Sequence, residues 1–64
     1  MTTIRVLRLA QGLTQQELSV KASVGPAMIS RIENDHYIGK PTFKRLCIAL
    51  GVSPDNVKRP LKNK

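Results

Sequence analysis

Few side chains in this 64-residue chain could carry acid–base or covalent chemistry. There is one histidine, His36, one cysteine, Cys47, and only four carboxylates. Cys47 falls on the apolar side of a helix, where a thiol packs as an inert hydrophobe. The sequence offers no carboxylate pair, no glycine-rich phosphate loop and no cluster of metal ligands, so neither an enzyme nor a cofactor is expected. What remains is recognition chemistry. Arg31 stands among Pro26, Ala27, Met28, Ser30 and Asn34. A guanidinium can donate bidentately to guanine O6 and N7, and small apolar groups such as those of Ala27 and Met28 can meet a thymine methyl. The charge balance agrees: eleven Lys and Arg against four Asp and Glu give +7, a surface that attracts polyanions.

These side chains need a scaffold. The hydrophobic period is close to 3.6 throughout, without strand-like alternation, so an all-α fold is expected. A first helix spans about Thr3 to Gln11, with Ile4, Leu7 and Val6 as its apolar stripe and Gly12 at its end. Thr14-Gln15-Gln16-Glu17 reads as a capping box that opens a second helix, which runs to about Ala22; Leu13 and Leu18 flank it as a hydrophobic staple. Ser23-Val24-Gly25 is a tight turn. Pro26 then opens a third helix to about Asn34, at a position where a missing amide costs nothing. In that helix Ile29 and Ile32 face inward, which leaves Pro26, Ala27, Met28, Ser30, Arg31 and Asn34 outward. After a polar loop with His36 and Tyr37, a fourth helix runs from about Lys40 to Leu50, buries Phe43, Leu46, Cys47 and Leu50, and is closed by Gly51. Ser53-Pro54-Asp55 starts a short final turn with Val57 inward, and Pro60 stops it.

Two short helices joined by three residues must cross at a sharp angle, the helix-turn-helix arrangement whose second helix can enter the major groove. The bases would then be read by Pro26, Ala27, Met28, Ser30 and Arg31. Gln15 lies at the start of the second helix, where free amides and the dipole favour an anion such as phosphate. Asn34, His36, Tyr37 and Lys40 could reach phosphates from the far end of the reading helix. For Asn34 a capping role is the alternative.

The sequence resembles the Cro and lambda-repressor-type (Xre-like) helix-turn-helix family. Leu7-Arg8, Gly12-Leu13-Thr14-Gln15, Glu17-Leu18, Ala22, Val24, the run Ile29 to Asn34, Leu46 and the run Ala49 to Ser53 carry the resemblance, over about residues 4 to 58. It implies a compact domain of four to five helices, expected to fill residues 1–60; beyond Pro60, residues 61–64 read as a disordered basic tail. It implies that Gln15 helps clamp a phosphate, and that Arg8 and Glu33 form a buried or half-buried ion pair between the first and third helices. It also implies a homodimer joined through about Val52 to Leu61, its two reading helices about 34 Å apart on an inverted repeat. Three positions depart from the family pattern. Ser23 and Asp35 stand where glycine is common, and Gly25 replaces a Ser or Thr cap.

The expected partner is double-stranded DNA, with a transcription regulator, most simply a repressor, as the reading and an antitoxin-type protein-interaction module as the alternative. Capture of a neighbouring gene's product would favour the latter. No apolar run approaches the roughly 20 residues of a membrane span, and the N-terminal residues do not form a secretory signal. A cytoplasmic protein with no small-molecule ligand is therefore expected.

Overall fold

The structure, a computed structural model, describes residues 2–60; the expected tail at 61–64 lies outside them. Helix α1 (Ile4–Ala10), α2 (Gln15–Ala22), α3 (Pro26–Glu33) and α4 (Lys40–Leu50) are followed by a single 3-10 turn, Pro54–Asn56. Thr3 caps α1, its hydroxyl accepting from the Val6 amide at 3.3 Å. At α2 both halves of the expected capping box form: the Thr14 hydroxyl accepts from the Glu17 amide at 3.0 Å, and the Glu17 carboxylate accepts from the Thr14 amide at 2.8 Å. Glycines 25 and 39 precede α3 and α4 without a side-chain cap, and each of these helices carries proline in its first turn.

The helices close over one aliphatic core of Ile4, Leu18, Ala22, Val24, Ile29, Ile32, Ile38, Phe43, Leu46, Cys47, Leu50 and Val57. Leu7, Leu13, Ala49 and Val52 pack against its edge. The expectation that Val6 belongs to the apolar stripe is corrected: Val6 is exposed. At 3.6 residues per turn it lies about 200° round from Ile4, and the buried edge of α1 passes instead through Ile4 and Arg8. Thr2 and Val57 form an isolated parallel bridge, and the Lys58 amide donates to the Thr2 carbonyl at 2.7 Å. This contact ties the start of α1 to the segment after the 3-10 turn.

All four helices leave by the same backbone route. A residue with positive φ follows each helix, and the amide of the next residue donates to the carbonyl five positions back: Leu13 to Arg8, Val24 to Ser19, His36 to Arg31 and Val52 to Cys47. This is the Schellman arrangement, which satisfies carbonyls the helix leaves free. Glycine fills the left-handed position at 12 and 51, but Ser23 (φ 55°) and Asp35 (φ 61°) fill it at the other two. An L side chain there costs roughly 1–2 kcal/mol, less for Asp, which tolerates this region. Buried Ser19 compensates at the first of them, its hydroxyl donating to the Val24 carbonyl at 2.6 Å. Replacing exposed Ser23 by glycine should therefore stabilise the fold by about 1 kcal/mol. In a domain this size that would raise the melting temperature by about 4–8 °C; a thermal melt that falls would show that the left-handed turn carries no strain.

Candidate nucleic-acid interface

Helices α2 and α3 are joined by Ser23, Val24 and Gly25 alone. Val24 is buried and pins that turn to the core. Helix α3 is held from below by Ile29 and Ile32, both buried, while Pro26, Ala27, Met28 and Arg31 are exposed and Ser30 is half-buried. With its side chains an α-helix is about 10–12 Å across, a width that the major groove of B-DNA admits.

Arg31 is not free at rest. Its guanidinium donates to the Tyr37 carbonyl at 3.2 Å, and its own carbonyl accepts from the His36 amide at 2.8 Å. The side chain is folded along the loop that follows α3, with four of its five N–H donors left over. Asn34 ends α3, and its side-chain amide donates to the Ser30 carbonyl at 2.9 Å and approaches the Ser30 hydroxyl at 3.4 Å. It therefore closes its own helix, which was the alternative to a phosphate contact. His36, Tyr37 and Lys40 are exposed beside it. The Arg59 guanidinium lies 5.8 Å from the centroid of the Tyr37 ring, within cation–π range.

Beneath this face lies an ion pair. Arg8 Nε donates to Glu33 Oε2 at 2.6 Å and its Nη2 to Oε1 at 3.0 Å, a bidentate fork with side chains only 10% and 4% exposed. Arg8 Nη1 donates to the Leu13 carbonyl at 2.7 Å, just before the cap of α2. Gln15 Nε2 donates to the same Glu33 Oε1 at 3.0 Å, so one of its two N–H donors is engaged inside the protein. Burial by itself pushes the Glu33 carboxyl up. Hydrogen bonds from Arg8 and Gln15, with the charges of Arg8 and Arg5, outweigh it and hold the group below its ordinary value. The hydrogen bond to Glu33 raises Arg8 against the opposing pull of burial. Burial pushes the Cys47 thiol up, as befits packing.

Sequence reasoning placed the exposed face of α3 and the Arg8–Glu33 pair, the latter through the resemblance. It missed the engagement of Gln15 with Glu33, the folding of Arg31 onto Tyr37, the Arg59–Tyr37 contact, and a bond from Gln11 Nε2 to the Leu50 carbonyl at 2.8 Å. No local signal announces these, since each joins a side chain to a side chain distant in sequence or to backbone beyond its own helix. Among the described residues no group of three or more His, Cys, Asp and Glu could hold a metal ion, and no helix is long and apolar enough to cross a membrane.

Compared with known proteins, the chain matches the model of a helix-turn-helix family over residues 4–57. No curated protein and no solved structure matches it significantly.

Removing Glu33 strands the Arg8 charge in a nearly dry site. Glu33→Ala should cost about 3–5 kcal/mol, the range for breaking one side of a buried pair. The pH dependence has a defined sign. A carboxyl depressed in the folded state contributes stability that is present above its unfolded value of about 4.3 and is lost as pH falls through the folded value. Urea titrations from pH 6 to pH 2 should show this acid loss in the wild type and a shallower one in Glu33→Gln. Parallel profiles would remove the ion pair from the account.

Proposed function

The chain belongs to the Xre-type helix-turn-helix family of DNA-binding transcription regulators, and on that premise we propose that it is a sequence-specific repressor acting on an inverted-repeat operator. The observation that carries the reading is the outward face of α3. A helix anchored by Ile29 and Ile32 leaves Pro26, Ala27, Met28 and Arg31 uncovered, and Ser30 partly so. Exposed Met28 and Ala27 offer apolar contact to thymine methyls, and Arg31 offers a fork to guanine. To read a base, Arg31 exchanges its bond to the Tyr37 carbonyl for bonds to the groove.

The flanks of α3 suit the phosphates. The first amides of α2 lack intrahelical partners and sit at the positive end of the helix dipole. Gln15 adds to them the Nε2 hydrogen that Glu33 does not take. His36, Tyr37 and Lys40 supply donors on the other side, while Asn34 serves mainly to close α3. Homodimerisation is proposed through residues 52–61 and the adjoining end of α4. Val57 and Pro60 are themselves buried within the protomer, so the apolar area for a partner comes chiefly from exposed Ile48 and half-buried Val52. Such a dimer would present two reading helices to successive major grooves. Repression by occlusion is the simplest mechanism, since nothing further than occupancy of the site is required.

Selection of bound sites from random duplex DNA tests the reading. The wild type should enrich an inverted repeat. Arg31→Ala should lose preference at one base pair of each half-site, a loss of about 1–3 kcal/mol in discrimination. Enrichment of no motif by the wild type would overturn the reading. An unchanged motif with the variant would remove Arg31 from base recognition.

A further inference from the structure

Among the described residues two side chains carry sulfur, Met28 and Cys47, and the fold treats them in opposite ways. Cys47 is fully buried in the core, and burial also pushes its thiol up, away from the thiolate that reacts. Met28 is 38% exposed in the first turn of α3. Its thioether needs no ionisation to meet an oxidant, so access to solvent decides its reactivity. Pro26 and Ala27 beside it are themselves exposed. Arg31 stands one turn further along α3, at the i, i+3 spacing at which side chains on a helix meet. One Arg31 donor is engaged, by the Tyr37 carbonyl, and four are left over.

We propose that Met28 is an oxidation site that silences the reading face: its sulfoxide replaces an apolar contact by a polar one and draws Arg31 off its base. The site rests on the DNA-binding reading and adds a control to it. The oxidant is a two-electron oxygen donor of the peroxide class. A sulfur lone pair attacks one peroxide oxygen, the O–O bond breaks and an S–O bond forms. The proton on the transferred oxygen leaves with the departing hydroxide as water. Sulfur loses two electrons and the peroxide gains them. The product side chain is polar, and methionine sulfoxide reductases reverse it. A sulfoxide oxygen cannot pack against a thymine methyl without losing its hydration. It also offers the spare donors of Arg31 an acceptor on their own helix, in competition with guanine. Met28 is no part of the buried core, so the fold survives the change.

The test treats the purified full chain with hydrogen peroxide and maps its tryptic peptides by mass. One added oxygen should appear on peptide 22–31, with Cys47 unmodified. Binding to the selected operator, read by fluorescence anisotropy, should then weaken about tenfold for each half-site, the loss of roughly one base contact. Methionine sulfoxide reductases, one for each epimer, should restore it. Met28→Gln, polar and uncharged like the sulfoxide, should bind weakly without any oxidant. Met28→Leu keeps Met1 and Cys47 but lacks the thioether, and its binding should not respond to peroxide. In Arg31→Ala, oxidation should cost less than in the wild type, because no guanidinium remains to be drawn away. Thermal melts of the oxidised and reduced chains should coincide. Absence of the oxygen from peptide 22–31, while free methionine in the same solution is oxidised, overturns the proposal. So does an unchanged affinity after oxidation, an equal peroxide response in Met28→Leu, an equal cost in Arg31→Ala, or a melt that collapses on oxidation. Each of these leaves base reading by the reduced protein standing. Failure of the reduced wild type to prefer any duplex overturns both proposals.

Discussion

The whole interface hangs on Arg8. Its guanidinium grips Glu33, the last residue of α3, and the Leu13 carbonyl ahead of α2, and Gln15 from the first turn of α2 closes on the same carboxylate. One nearly dry charge pair thereby fixes the end of α3 against the start of α2. Such a pair is a poor source of net stability, because desolvating two ions offsets much of their attraction. Its value here is directional. A bidentate fork tolerates little change in angle, and it adds this to the close packing of buried side chains such as Ile29 and Leu18. Core packing and the ion pair together fix how α2 and α3 cross.

The four helix ends show where this protein stops serving its fold. Each closes by the same long hydrogen bond, and after α1, α2 and α4 the next residue is apolar, Leu13, Val24 or Val52, and packs inward. After α3 the corresponding residue is His36, exposed, followed by exposed Tyr37 before the chain dives back at Ile38. An apolar clamp that the other three ends possess is absent at the end that leads into His36, Tyr37 and Lys40. The backbone geometry is kept there and the side chains are released from packing, the combination expected of a loop that must hold its shape while touching a partner.

Much of this was legible in advance because it is local. The capping box at Thr14 and Glu17, the prolines that open α3 and α4, Gly51 at the end of α4 and the buried faces of α3 and α4 all follow from residues within one or two turns of each other. The left-handed backbone at Ser23 and Asp35 could be anticipated only because glycine is common at both places in similar sequences. Arg8 and Glu33, twenty-five residues apart, carry no local signal of their pairing, and the resemblance alone supplied it. Val6 was misassigned because a β-branched residue next to a stripe is indistinguishable in hydropathy from a member of it; its angle round the helix decides. The contacts of Arg31, Arg59 and Gln11 escaped altogether, since flexible side chains that meet a carbonyl or a ring depend on where the loops finally lie.

The resting bond of Arg31 bears on how sharply such a protein can discriminate. A free arginine would lose up to about 2 kcal/mol of side-chain entropy on docking against a base. Here part of that loss has already occurred in folding, because the guanidinium is tethered to the Tyr37 carbonyl. The tether must be exchanged on binding, and a net hydrogen bond is worth about 0.5–1.5 kcal/mol. On the proposed reading, guanine presents two acceptors and offsets the exchange with a bond to spare, whereas a base edge offering one acceptor only replaces what the loop already supplied. The loop carbonyl thus acts as an internal competitor. If Arg31 reads a base as proposed, this competition lowers affinity for every sequence by the same amount and leaves a gain only where two acceptors lie side by side.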